Sequence, residues 1–472
     1  MRKLILFFIL LSKNIFGFGY QRQTSRNYIK TRLIQQYSFI FGQTQFFELE
    51  KDDCERTIAI TAAPIYTCMR GNSIGDAFLI DRKSSLVAAG DDTAFKNTRD
   101  IRAEWIGGNG ETLVSLSLDA NQELSGIKML FQIPFSTFIK SDCIPNWCIG
   151  IRPTLVYSAN QLNLKLNGAN SVEEIKMRDF FKNQTSFDKI DGLKRSNIGF
   201  ESIALTVEGL YRTENDKLKI YYYTGLELPT SETYSTPYMF YPYIGNNGNL
   251  ATLLGFFMHG YFSKNECNSF GFIFEIEDHF LLYKTMKRVF DLYRKPWSRY
   301  LPVTELNQNI IYKDVSSVSN LPVRIHPCNS VDGSIGIVYE KEDFYKSTLN
   351  IATGYNLWVV QNDYPELQDR VYKSQYQEFY SCGLKGTAPY TTASFNTISQ
   401  KGPNDAVEIP FVVNDLDLLS VCAAGGYSQS LFLRATIKGD TYNLLTGGWT
   451  EFGLSRLMPS RYGFWIGLGI TW

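Results

Sequence analysis

Long stretches of this chain alternate apolar with polar residues. Ile203, Leu205, Val207 and Tyr211 share one phase, and Ser202, Thr206, Glu208 and Arg212 share the other. Glu214, Asn215 and Asp216 then supply turn chemistry. Beyond them, Leu218, Ile220, Tyr222, Thr224, Leu226 and Leu228 oppose Lys219, Tyr221, Tyr223 and Glu227. Period two marks a strand with unlike faces, so this region predicts a hairpin with arms of about ten residues. Strands of soluble proteins usually run about five or six residues, whereas strands that cross a bilayer run about nine to eleven. The next pair repeats the pattern. Residues 249–263 are rich in aromatics and Gly, and Lys264, Asn265 and Glu266 turn the chain. Phe270, Phe272, Phe274 and Ile276 then oppose Gly271, Glu275, Glu277 and His279. A charge facing lipid costs about 2–4 kcal/mol near the bilayer midplane. Here the charges keep to the phase opposite the large apolar side chains.

The same alternation recurs on both sides of these hairpins. Val114, Leu116 and Leu118 interleave with Ser115, Ser117 and Asp119, and Ile127, Met129, Phe131, Ile133 and Phe135 interleave with Lys128, Gln132 and Ser136. Leu349, Ile351, Tyr355, Leu357 and Val359 form one face of a later strand. Leu431, Leu433 and Ile437 alternate with Arg434, Thr436 and Lys438, and 440–451 reads as a further strand. The expected fold is all-β: a transmembrane antiparallel barrel of about 12–14 strands with short loop helices. One such helix is expected over 171–183, where Ser171 and Glu174 have capping-box spacing. Another is expected over 363–380, capped by Asp363 with Pro365 in its first turn. Long connections are expected around 71–98, 160–196 and 307–332. By phase, Lys128, Gln132, Glu208, Arg212, Lys219, Glu227, Glu275, Glu277, His279, Arg434 and Lys438 are the candidates for the lumen wall. A soluble β-sandwich with its apolar face turned inward gives the same alternation and stays open as an alternative.

The two ends of the chain add location. Tyr462, Phe464, Ile466, Leu468, Ile470 and Trp472 occupy every second position up to the last residue, with Gly463, Trp465, Gly467, Gly469 and Thr471 between them. So apolar a terminal strand needs a partner, because an unpaired edge invites aggregation, and barrel closure supplies one. At the other end Arg2 and Lys3 precede an apolar run from Leu4 to Leu11, followed by the small residues Gly17 and Gly19. This reads as a cleaved signal peptide over 1–19. A polar, mildly basic lead-in over 20–53 follows, then the barrel over 54–472. No later run reaches the about 18 apolar residues of a membrane helix.

With these residues in view, the chain resembles the outer-membrane β-barrel proteins of Gram-negative bacteria. The resemblance implies that assembly machinery reads the terminal strand, and that lipid and lipopolysaccharide surround the barrel. A shorter stretch, Leu228, Pro229, Thr230 and Ser231 followed by Ile244, Gly245, Asn246, Asn247 and Gly248, is similar to an element of barrels that take up hydrophobic compounds, with Ser231 where that element has Gly. Together these imply a porin-like channel or transporter for a small solute or a hydrophobic ligand. A non-conducting surface barrel or adhesin that binds partners through its loops is the alternative of a different class.

Composition narrows the chemistry. Lys plus Arg and Asp plus Glu number 47 each, which gives no basic excess for nucleic acid. Aromatic residues reach 15%, suited to strands and to the girdles of membrane barrels. Of eight cysteines, Cys143 and Cys148 bracket a short segment that a disulfide would close. The three histidines sit in no H-E-x-x-H arrangement, and there is no G-x-S-x-G or Walker loop. The expectation is a non-enzyme without cofactor or metal.

Overall fold

The computed structural model describes residues 28, 30, 32–42, 58–70, 73–80, 83–95, 97–138, 147–168, 170–184, 189–213, 217–230, 238–265, 267–293, 295–305, 312–386, 407–453 and 458–471. Twelve strands close into one antiparallel barrel. They are β1 (Ala59–Arg70), β2 (Leu113–Pro134), β3 (Trp147–Gly168), β4 (Arg195–Arg212), β5 (Leu218–Leu228) and β6 (Ala251–Lys264), then β7 (Asn268–Leu281), β8 (Cys328–Phe344), β9 (Ser347–Val360), β10 (Gly426–Lys438), β11 (Tyr442–Gly453) and β12 (Ser460–Thr471). Each pairs with its sequence neighbour, and β12 returns to β1 in a register running from Ala59↔Thr471 to Arg70↔Ser460. The terminal edge is therefore covered along its length.

The outer wall is apolar, which excludes the sandwich, whose apolar face would point inward. On β12, Tyr462, Phe464, Ile466, Leu468 and Ile470 are exposed, while Arg461, Gly463, Trp465, Gly467, Gly469 and Thr471 are buried. The inner glycines make room for indoles. Trp449 on β11 lies opposite Gly463, and Trp465 lies opposite Gly447. A Cβ on Gly463 would sit 2.3 Å from the Trp449 ring, and one on Gly447 2.3 Å from the Trp465 ring. Trp472 lies outside the described residues, as do the expected signal peptide over 1–19 and Cys143. Cys148 is buried on β3.

The two ends of the barrel differ. At the turn end, hairpins β4–β5, β6–β7, β8–β9 and β10–β11 are joined by short turns. At the other end, long connections fold together into a cap. One cap sheet joins Lys284–Val289, Asn320–His326 and Tyr364–Leu367, and another joins Tyr312–Asp314, Pro302–Glu305, Cys382–Gly386 and Val407–Pro410. Helices α1 (Ser171–Asn183) and α2 (Lys373–Tyr380) pack with them around buried Trp105, Phe181, Trp297, Tyr300, Tyr376 and Phe379.

The cap changes what the strands beneath it must bury. On β2, Lys128, Leu130 and Gln132 face inward and Ile127, Met129, Phe131 and Ile133 face outward. Nearer the cap the chemistry inverts along the same strand. Val114, Leu116 and Leu118 are buried inside under the cap core, while Ser115, Ser117 and Asp119 face out. On β3, Ile149, Ile151, Leu155 and Tyr157 lie outside at the lower level, and Gln161, Asn163 and Lys165 lie outside at the upper one. The strands thus continue beyond the apolar band into water.

Three local expectations need correction. Asn170, not Ser171, caps α1: its Oδ1 accepts from the N–H of Val172 at 2.9 Å, and Glu174 accepts instead from Gly168 at 2.6 Å. Over 363–380 only Lys373–Tyr380 is helical. Tyr364–Leu367 is a strand with Pro365 opposite Ile325, at the sheet edge where a missing N–H is tolerated. Finally, the connections around 160–196 and 307–332 are shorter than expected, because β3 runs on to Gly168 and Asn320–His326 and β8 are strands.

Candidate functional site in the barrel lumen

The described part of the lead-in, residues 28, 30 and 32–42, lies inside the barrel. It descends from the cap towards the turn end as extended chain and two short 3-10 turns, Ile34–Gln36 and Ser38–Ile40. Such a segment has backbone groups that neither helix nor sheet satisfies, and buried ones must find partners. The wall supplies them. Glu201 accepts from the N–H groups of Ile34 (3.1 Å) and Gln35 (2.8 Å). Lys128 donates to the carbonyls of Gln35 (2.8 Å) and Tyr37 (3.3 Å), Arg434 to that of Phe39 (2.9 Å) and Arg461 to that of Arg32 (3.0 Å).

Arg32 is the charged centre of the segment. It is 1% exposed, pairs with Asp332 at 2.8 Å and with Glu451 at 3.5 Å, and lies over the Tyr37 ring at 4.0 Å. Asp332 also accepts from the backbone N–H and hydroxyl of Ser38, and Glu451 accepts from the Tyr37 hydroxyl. Below this, Phe39 stacks on Phe432 with centroids 4.9 Å apart and touches Trp449 and Trp465 edge-on or tilted. Gly42 has φ +49°, and a Cβ there would fall 1.4 Å from the Arg434 guanidinium. The left-handed conformation favours glycine there, and any side chain would also have to displace the Arg434 guanidinium. At the cap end, Lys30 pairs with Asp363 at 2.8 Å and donates to the carbonyls of Pro327 and Gln361. Burial pushes the Asp363 carboxyl up, but Lys30 and Arg288 outweigh it and hold the group below its ordinary range.

The eleven wall residues expected from phase all fall on the inner phase. Lys128, Gln132, Glu208, Glu227, Glu275, Glu277, His279 and Arg434 are buried, and Arg212, Lys219 and Lys438 are half-buried near the turn end. They form connected groups. Glu208 accepts from Arg152 (2.6 Å), Gln132 (2.7 Å) and Thr206 (2.8 Å). His279 bridges Glu227 at 2.9 Å and Glu277 at 2.8 Å, and Tyr223 donates to Glu277. Glu227 also receives the side-chain amides of Gln35 and Asn246, which ties the wall to the segment. Both oxygens of Glu275 lack a hydrogen-bond partner, and Arg434 is its strongest opposite charge. Buried charges persist when paired and hydrogen-bonded, and most of these are.

Several residues that grip the segment were not among the sequence candidates: Glu201, Asp332, Glu451 and Arg461. Arg461 continues the inner phase of Gly463 and Trp465 and was legible there. Glu201 was hidden by a bulge, since Thr154 pairs with Ser202 while Leu155 pairs with Phe200. Both Glu201 and Ser202 are consequently buried. The visible clue was a carboxylate in phase with Ile203, Leu205 and Val207.

No protein-family model matches the chain, and no curated protein sequence does. Among solved structures, the fold is similar to an outer membrane channel from Pseudomonas putida F1, at 8% identity and TM-score 0.34, covering 88% of this chain and 96% of that one. It is similar to the transport unit of the autotransporter AIDA-I from Escherichia coli, at 6% identity and TM-score 0.35, covering 94% and 100%. It is also similar to the beta domain of the Bordetella autotransporter Brka, at 7% identity and TM-score 0.32, covering 88% and 100%. No residue role passes from them to this chain.

Proposed function

We propose that the protein is an outer-membrane channel or transporter for small solutes whose resting lumen is closed by its own residues 28–42. One observation carries this reading. Six charged wall groups, Lys128, Glu201, Asp332, Arg434, Glu451 and Arg461, are spent on a segment that is not part of the wall and whose described residues are held by wall side chains with no sheet pairing. Such a segment can leave without opening the barrel. The apolar band and the closing strand support a bilayer location, with lipid and lipopolysaccharide outside and assembly machinery acting on Tyr462–Ile470. Truncation at Arg461 is expected to abolish membrane insertion.

The test is conductance in planar bilayers. The intact protein is expected to be silent or to open rarely. Deletion of 28–42, and the milder pair Arg32→Ala with Tyr37→Phe, are expected to give stable open channels. Variants that insert, show heat-modifiable gel migration and yet conduct no more than the parent would overturn the reading. The folded cap favours a second reading, a non-conducting surface barrel that binds a partner through its long connections, and that same result would favour it.

A further inference from the structure

Much of what holds the closing segment goes to atoms that any peptide carries. Glu201 accepts from two successive backbone N–H groups, those of Ile34 and Gln35, and Asp332 accepts from that of Ser38. Lys128 donates to the carbonyls of Gln35 and Tyr37, Arg434 to that of Phe39 and Arg461 to that of Arg32. These wall residues come from β4, β8, β2, β10 and β12, so they surround the segment. Every residue of a peptide but proline brings one N–H and one C=O, so this part of the grip does not depend on the segment's own sequence.

Three side chains add selectivity. Arg32 reaches the carboxylates of Asp332 at 2.8 Å and Glu451 at 3.5 Å, and the Tyr37 hydroxyl donates to Glu451 at 2.8 Å. Phe39 sits among Phe432, Trp449 and Trp465, with ring centroids 4.9, 6.0 and 5.9 Å away. That pocket is a property of the wall, because Gly463 and Gly447 leave the space that the two indoles occupy. A small neutral solute would meet few of these groups, and an apolar one would leave the charges bare. Backbone donors and acceptors around the lumen, two carboxylates for a cation and an aromatic pocket describe a site for peptide.

We infer that the lumen takes an extended oligopeptide about as long as Arg32–Phe39, and that the closing segment rests in its place. The peptide carries a cationic residue followed five and seven positions later by aromatic ones, the spacing of Arg32, Tyr37 and Phe39. This names the substrate class of the transport reading above and rests on it. It departs from the hydrophobic ligand that the resemblance of 228–248 implies.

The test is fluorescence anisotropy on the full-length protein in detergent, with labelled peptides built on a Gly and Ser frame. The first carries Arg, Tyr and Phe at the spacing of the segment, the second has Leu for Arg, and the third has Ser for both aromatics. Tethering gives the closing segment an effective concentration on the order of millimolar, so the parent is expected to bind the first peptide weakly. Arg32→Ala with Tyr37→Phe loosens the segment and is expected to raise that affinity about tenfold or more. The second and third peptides are each expected to bind the loosened protein about tenfold more weakly than the first, as a site built for a polar or aromatic group rejects what lacks it. Asp332→Asn in that background is expected to shrink the preference for the first peptide over the second. If these variants lose heat-modifiable migration, the parent serves: saturating first peptide is expected to displace the segment and speed tryptic cleavage of the lead-in, and the third peptide is not. No binding to the loosened protein with no faster cleavage in the parent, equal binding of all three peptides, or a preference untouched by Asp332→Asn would each overturn the site. Binding is read without conductance. Peptide binding by a protein that never opens on deletion of 28–42 would sink the channel and keep the site, and an opening channel that binds no peptide would do the reverse.

Discussion

The lower and upper halves of β2 and β3 are built from the same strands with opposite chemistry. In the lower half the outer face is apolar and the inner face carries Lys128, Gln132 and Arg152. In the upper half the inner face is Val114, Leu116, Leu118, Leu162 and Leu164, and the outer face carries Asp119, Asn163 and Lys165. The period is unchanged, and only the solvent on each side differs. On the proposed bilayer location, lipid lies outside below, with a polar segment inside; above, water lies outside and an apolar cap inside. The lower half is therefore specified by directional bonds in a dry lumen, and the upper half by packing. Each half should fail in its own way.

The sharpest break is at Arg32. Removing one partner of a buried pair leaves a bare charge and costs about 3–5 kcal/mol. Arg32→Ala strands Asp332 and Glu451, so urea unfolding is expected to show a loss of that order, and trypsin is expected to cut the lead-in faster. A fall under about 1 kcal/mol would mean that the segment is not held by this pair. In the upper half Leu116→Ala removes a side chain with no exposure, for about 2–5 kcal/mol. That loss is expected in the cap alone: cap proteolysis rises while heat-modifiable migration of the barrel persists. Phe131→Lys, on the lower outer face, is expected to cost about 2–4 kcal/mol and to reduce insertion yield.

Sequence reading reached the lower half more fully than the upper. Long arms, clean charge phasing and the Tyr462–Ile470 pattern are local, and a barrel follows from them. The inversion on β2 was also visible, since the apolar phase moves from even positions at Val114–Leu118 to odd ones at Ile127–Ile133. Read without the cap it gave two strands, whereas one 22-residue strand spans both. The cap was illegible because its strands are short and pair across distant connections, as Ile325 does with Pro365. The closing segment was illegible for a different reason. Its structure has no period, and its partners lie about 90 to 430 positions away in the chain.

The upper anchor of the segment responds to acid. Asp363 is held below its ordinary 3.8 by Lys30 and Arg288 against the effect of burial. A depressed carboxyl contributes stability that is complete above the unfolded value and is lost as pH falls through the folded one. The stability gap between the parent and Asp363→Asn is therefore expected to be constant from pH 8 to 5 and to close below about pH 4. Denaturant midpoints across that range check this, and a gap that closes between pH 8 and 6 would assign the anchor to another group.

The smallest effect completes the comparison, because it keeps the geometry and changes only the surroundings. Asp119 and Lys165 form an ion pair at 2.8 Å on the outer face of the upper half, the same separation as Arg32 and Asp332. Their side chains are 24% and 59% exposed, against 1% for each member of the inner pair. Water screens the outer pair, and holding Lys165 in place costs rotamer freedom, so such pairs contribute about 0.2–1 kcal/mol. Asp119→Asn is expected to shift the urea midpoint by no more than that, and the shift is expected to vanish in high salt. A loss comparable to that of Arg32→Ala would mean that the upper outer face is not in water, and the boundary drawn where the chemistry of β2 inverts would have to move up the strand.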